Sequence, residues 1–195
     1  MVKQYLYLMR HGETFFNQMS KIQGWCDSPL TKKGVEQACI AGHYFEREQI
    51  NLDAAYSSTS ERACDTLEKV TDMPYKRVKG LKEWNFGRFE GEHEYLNPEL
   101  PYRDFFVQFD GEGEDEVQKR ISDCLLKIMQ GEDGKNVLAV SHGATCGRFA
   151  ANWAHKSNVF KNAPVANCCV FVYEFENNEF TLLEIVNHDF STIDG

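Results

Sequence analysis

A short apolar run, Tyr5-Leu6-Tyr7-Leu8-Met9, stops at Arg10-His11-Gly12, and the arrangement returns late in the chain, where Asn136-Val137-Leu138-Ala139-Val140-Ser141 stops at His142-Gly143. Each run has the length and composition of a buried strand. Each is followed by a glycine that lets the backbone turn, and by a stretch that leads into a helical pattern. Two such strands, with strands and helices alternating between them, restrict the chain to an α/β sheet. Parallel strands of that kind end at one sheet edge, where ligands bind. His11 and His142 are therefore expected at one cleft.

The rest of the pattern fits between and after these strands. Thr31 is placed to cap a helix whose apolar positions Val35, Ala38, Cys39, Gly42 and Phe45 recur at helical spacing to about residue 48. Residues 17–29 lack periodicity and read as an extended loop. A second strand at 54–57, a helix at 61–70 and a third strand at 75–78 follow. Val117, Ile121, Cys124, Leu125 and Ile128 fall on one face of a helix over 114–129, and another helix runs from Gly143 through Trp153. Residues 168–175 and 180–186 form a hairpin turning at Glu176-Asn177-Asn178. The expected fold is a three-layer α/β/α sandwich, with a mainly parallel sheet and an antiparallel edge hairpin, as one domain over 1–195. Between about 84 and 113, aromatic residues mix irregularly with acids and prolines, which predicts a lid insert.

A net charge of −9 over 195 residues argues against nucleic acid or an anionic membrane as partner. No apolar run approaches the ~20 residues of a membrane span, and the first residues lack a signal-peptide pattern, so a cytoplasmic location is expected. Seven cysteines, an odd number without a CxxC pair, point away from a disulfide framework or zinc site. Four fall in predicted helices, and Cys168-Cys169 in a predicted strand, where a thiol packs as a small apolar group. His43, His93, His155 and His188 fit no motif and read as surface or packing residues.

Arg10 adjoins His11, and Arg62 lies in the first turn of its helix, where positive charge is electrostatically misplaced; it reads either as a solvated surface arginine or as a group aimed at an anion held at that helix end. Guanidinium groups match phosphate with paired hydrogen bonds. Arg10, Arg62 and His142 around His11 would suit phosphoryl transfer without a metal, their donors neutralising the equatorial oxygens. Cationic neighbours favour the neutral, nucleophilic imidazole. Glu83, on a loop after the third strand, is the candidate acid for the leaving oxygen. Metal ligation by His11 and His142 fits less well: there is no HExxH, no clustered carboxylate, and the arginines would repel a cation.

The blocks Arg10-His11-Gly12-Glu13-Thr14 with Asn17, Gln23-Gly24 with Asp27, Ser57-Ser58 with Arg62-Ala63, Leu81-Lys82-Glu83 with Glu90-Gly91, and Val140-Ser141-His142-Gly143 together resemble the histidine phosphatase superfamily, in its phosphoglycerate mutase-like branch. The resemblance implies a phosphoglycerate mutase-like fold, a small phosphorylated metabolite as partner and no cofactor. It implies that His11 becomes phosphohistidine and Glu83 donates the proton. Arg10, Arg62 and His142 would hold the phosphoryl group, with Asn17, Gln23, Gly24 and the N–H of Gly143 at the substrate.

Some positions depart from the pattern. Thr59 and Ser60 stand where the family often has Pro and Leu, and Ala144 stands where mutases usually have Asn. Between Trp84 and Gln118, ten acids face only Arg88 and Arg103. That balance suits a monophosphate with a neutral or aromatic remainder. A phosphatase is thus expected ahead of a cofactor-dependent mutase. A catalytically weak phospholigand-binding module comes last, since all five catalytic candidates are present. No oligomeric state is implied.

Overall fold

The computed structural model describes residues 3–157, 159 and 165–193. Its strands are β1 (Gln4–Arg10), β2 (Ala54–Ser58), β3 (Lys76–Val78), β4 (Asn136–Ser141), β5 (Val170–Glu176) and β6 (Glu179–Val186). They form one six-stranded sheet in the order β3-β2-β4-β1-β5-β6. The first four strands pair in parallel, and β5 and β6 pair antiparallel at the β1 side. Arg10 lies opposite Ser141 in the β1–β4 register, so His11 and His142 leave neighbouring strands side by side.

The central strands are apolar throughout because both of their faces are covered. Leu6 and Leu8 of β1 point into a cluster with Ile121, Leu125 and Phe149, from α4 (Glu114–Gly131) and α5 (Gly143–Asn152). Tyr7 and Met9 point the other way, onto Ala38, Phe45, Ala63 and Leu67 of α2 (Lys32–Arg47) and α3 (Glu61–Val70). This is the three-layer α/β/α arrangement expected from the sequence. Thr31 caps α2 as expected, its hydroxyl accepting from Gly34 N at 3.0 Å.

Three local expectations need correction. A short helix, α1 (Phe15–Gln18), opens the stretch read as an extended loop. Thr14 and Asn17 form a reciprocal cap there, with both bonds at 3.2 Å, and one turn is too short to leave a hydrophobic period. The hairpin begins at Val170, because Cys168 takes a left-handed φ of 56° and ends any extended run at that point. β3 starts at Lys76 instead of residue 75.

The insert folds into short 3-10 turns at Gly87–Phe89, Glu94–Leu96 and Phe105–Phe109. Its aromatic residues build a cluster of their own: fully buried Phe106 lies edge-on to Phe86 at 4.9 Å, beside Trp84, Ile22 and Val117. All seven cysteines are free thiols, and no described helix is long and apolar enough to cross a membrane.

Candidate active site

The loop after β1 is held from several sides. A Cβ on Gly12 would lie 2.4 Å from the Gly34 carbonyl, and one on Gly34 would lie 2.0 Å from that of Glu13, so the loop rests backbone to backbone on the start of α2. Gly12 N donates to Thr66 Oγ1 at 3.0 Å and Glu13 N to Gln37 Oε1 at 2.9 Å. His11 N donates to Ser141 O at 3.1 Å, and Asn167 Nδ2 donates to the His11 carbonyl at 3.2 Å.

The His11 ring is only 4% exposed. Its Nδ1 lies 2.7 Å from the Gly12 carbonyl, which can only accept, so Nδ1 carries the proton and Nε2 keeps its lone pair. Burial, then the charges of Arg62 and Arg10, holds its pKa well below 6.5. His142 stands edge-on to it at 5.2 Å between ring centroids. Its Nε2 meets Ser58 Oγ at 2.8 Å, and its buried Nδ1 has no partner among the described residues. Burial, then Arg62 and His11, pushes the His142 pKa well below the usual range as well.

Arg10 crosses the start of α5 where Gly143 has no side chain; a Cβ there would lie 3.3 Å from Arg10 Nε. Arg10 Nη1 donates to Val165 O at 2.5 Å, while Nε is buried without a partner among the described residues. Arg62 is fully buried and donates to the carbonyls of Gly24 at 2.9 Å and Cys26 at 3.1 Å, and to Asp27 Oδ1 at 2.8 Å. The other oxygen of Asp27 accepts from Glu61 N at 2.5 Å. Asp27 thus takes the Glu61 N–H at the start of α3, and the reading of Arg62 as a solvated surface residue is corrected, since its side chain is fully buried. Gly24 is required where it sits, since a Cβ would come within 2.3 Å of Trp84 O.

Glu83 reaches the N-terminus of α5. Its Oε1 accepts from Thr145 N at 2.8 Å, Thr145 Oγ1 at 2.7 Å and Trp84 N at 2.9 Å, and its Oε2 accepts from Ala144 N at 2.9 Å. Arg120 braces the loop that carries it. Its guanidinium binds the carbonyls of Gly80, Lys82 and Glu83, and makes paired bonds to Glu112 at 2.8 and 2.9 Å.

Arg10, His11, Asn17, Gln23, Glu83 and Gly143 share the wall of one cleft of about 270 Å³. Arg62, His142 and Gly24 are not on that wall; they stand behind it. Lys21, Glu94, Asn97 and Tyr102 do line it, and sequence reasoning missed all four. Lys21 lies between Asn17 and Gln23 on a loop already singled out, a proximity that could have suggested it. The other three lie in the insert, where no periodicity marks a face. Backbone bonds of 2.8 Å, from Ile22 N to Glu92 O, Gly91 N to Ile22 O and Glu94 N to Ser20 O, fasten the insert to that loop. Among the described residues, no group of three or more His, Cys, Asp or Glu could hold a metal ion.

Comparison with known proteins bears on the family and the fold. The family model described as histidine phosphatase superfamily (branch 1) matches residues 6–188. A putative phosphoserine phosphatase 2 of Hydrogenobacter thermophilus is 30% identical over 153 residues, which cover 72% of this chain and 73% of the relative. A 2,3-bisphosphoglycerate-dependent phosphoglycerate mutase of Bacteroides fragilis is 36% identical over 92 residues; these cover 44% of this chain and only 37% of the mutase. Among solved structures, phosphoglycerate mutase from Bacillus anthracis superposes with a TM-score of 0.81 at 28% identity, covering 93% of this chain and 92% of that one. Phosphoserine phosphatase from Entamoeba histolytica, in complex with 3-phosphoglyceric acid, superposes with a TM-score of 0.77 at 29% identity, covering 97% and 99%.

Proposed function

Because the chain belongs to the histidine phosphatase superfamily, we propose that it hydrolyses phosphomonoesters through a phosphohistidine formed on His11, without a metal ion. The observation that carries this reading is the state of His11: neutral, with Nδ1 tied to the Gly12 carbonyl and Nε2 unprotonated, on a wall shared with Glu83. Nε2 attacks phosphorus as the bond to the leaving oxygen breaks, and that oxygen takes a proton from Glu83. Oε2 of Glu83, which accepts a single bond, is the oxygen that carries the proton. Water then gives a proton back to Glu83 and attacks the phosphohistidine. Inorganic phosphate leaves and His11 returns to its neutral form.

Charge on the equatorial oxygens is met by Arg10, Asn17 and the N–H of Gly143 from the wall. Arg62 adds positive field from behind His11, and the neutral His142 ring adds a polar edge there; Arg62 Nε and His142 Nδ1 are both buried without partners among the described residues. Gln23, whose Oε1 is taken by the Thr14 hydroxyl at 2.7 Å, has an unpartnered Nε2 for the same use.

Hydrolysis is favoured over mutase action because the described wall carries Arg10 and Lys21 as its only Arg or Lys residues, facing Glu94, which leaves little to hold a second phosphate. The test is a panel of phosphomonoesters including 3-phosphoglycerate, with and without 2,3-bisphosphoglycerate, scored for phosphate release and isomerisation, with EDTA present throughout. Net release that survives EDTA is expected. Isomerisation faster than release would establish the mutase instead, and loss of turnover in EDTA restored by a divalent cation would remove the metal-free mechanism.

A further inference from the structure

Of the acids in the insert, Glu92, Glu99 and Asp104 have no ion pair among the described residues and lie off the cleft wall, while others are committed to structural bonds. Asp110 pairs with Arg88, Glu112 with Arg120 and Glu114 with Arg148, while Glu90 accepts from the backbone N–H groups of Trp25 and Cys26. These acids hold the structure together. Glu94 differs: it lines the cleft and has no ion pair among the described residues. Lys21, across the seam between the insert and the 20–22 loop, also lines the cleft and likewise has no carboxylate within ion-pair distance among the described residues. Its ammonium rests 5.5 Å over the Phe16 ring, a contact that steadies the side chain and leaves its hydrogen bonds free. Nearby, Asn97 Oδ1 is buried with no donor among the described residues, and Asn97 too belongs to the cleft wall.

One cavity thus presents a cation and a carboxylate held apart, together with an orphaned acceptor. Buried acceptors are normally satisfied, and opposite charges that the Lys21–His93 bridge brings to one cleft wall would join if nothing were to come between them. Building on the phosphatase reading above, we infer that the substrate is a small zwitterionic phosphomonoester, with Glu94 and Asn97 taking its ammonium group and Lys21 its carboxylate. An ammonium without a carboxylate would leave Lys21 unanswered. A carboxylate without an ammonium would bring a like charge toward Glu94. The cleft, at about 270 Å³, is also below the roughly 300–1,000 Å³ of pockets for larger ligands. Glu94 is exposed to solvent, so its selectivity is moderate in size.

The test compares kcat/KM for O-phospho-L-serine, phosphoethanolamine, 3-phosphoglycerate and glycerol 3-phosphate in the wild type, Glu94→Gln and Lys21→Met, with p-nitrophenyl phosphate as a reference. Wild type should prefer phosphoserine to glycerol 3-phosphate by about tenfold or more, the scale of one charge-assisted hydrogen bond. Each variant should cut that ratio about tenfold. Glu94→Gln should lower the ratio of phosphoethanolamine to glycerol 3-phosphate and raise that of 3-phosphoglycerate, and Lys21→Met should do the reverse. A wild-type ratio near one, or equal shifts for all substrates in either variant, overturns the inference and leaves the phosphatase reading intact. Absence of phosphate release from every substrate, p-nitrophenyl phosphate included, overturns the reading beneath it.

Discussion

At neutral pH two histidines stand edge to edge in this protein, both buried and both uncharged. Burial dominates in each case; Arg62 and Arg10 add to it at His11, and Arg62 and His11 add to it at His142. The consequence for stability has a definite sign. Unfolded histidine titrates near 6.5, whereas in the fold both groups take up protons only well below that. As pH falls from about 6.5, the unfolded chain binds more protons than the native one, so stability falls, by up to about 1.4 kcal/mol per pH unit for each histidine. Above that range the pair contributes no slope. Urea unfolding between pH 7.5 and 5 should therefore steepen with acidification, and His142→Gln should flatten the profile. An unchanged slope in the variant would mean that His142 takes up its proton as readily in the fold as in the unfolded chain. Glu83 makes a separate prediction. Glu83→Gln keeps the size and loses the proton, so alkyl phosphates should slow by about 10²–10⁴-fold, while phosphoenzyme formation from p-nitrophenyl phosphate, a self-sufficient leaving group, should slow much less. Equal losses with both would make Glu83 a positioning group. His11 and Glu83 were legible because each sits in a short block beside its own turn. The environment of Arg62 was not, since the carboxylate that answers it, Asp27, is distant in sequence and met only through folding.

At the scale of elements, the crossing of Gly12 over Gly34 sets where the nucleophile points. Helix propensity alone predicts that Gly34→Ala stabilises α2 by up to about 1 kcal/mol. The structure predicts the opposite, because the new Cβ would meet the Glu13 carbonyl at 2.0 Å, and a backbone atom cannot step aside as a side-chain tip can. The variant should lose about 1–3 kcal/mol or more in urea unfolding and form phosphoenzyme more slowly, since the His11 loop is displaced. A stabilised Gly34→Ala would contradict this account of the loop. The elements that periodicity revealed are those that press an apolar face on the sheet: α2 with Ala38 and Phe45, α4 with Ile121 and Leu125, and the buried strands β1 and β4. Those it missed answer to other forces. α1 rests on a single cap, and the insert packs aromatic rings edge to face without a repeat, so Glu94, Asn97 and Tyr102 could not be assigned to the cleft in advance.

Taken as a whole, a molecule of net charge −9 sets Arg10 and Lys21 on the wall of one cleft, with Arg62 buried behind it. Parallel pairing of β1 and β4 brings two His-Gly turns to one edge, the start of α5 faces the same cleft, and two arginines flank the nucleophile. The topology was legible because repeated strand-to-helix turns leave few ways to connect a parallel sheet. The shape of the remaining cleft depends on how the insert folds back over the 20–22 loop, which follows from backbone pairing between distant segments. Central to the account is covalent phosphorylation of His11. The most direct measurement is peptide mapping by mass spectrometry after an alkaline quench of wild type and His11→Ala turning over p-nitrophenyl phosphate. A phosphoryl group stable in base, labile in acid and located on His11 is predicted for the wild type, with neither label nor turnover in the variant. A wild type that turns over with no label on His11, or a His11→Ala variant that hydrolyses at the wild-type rate, would contradict it.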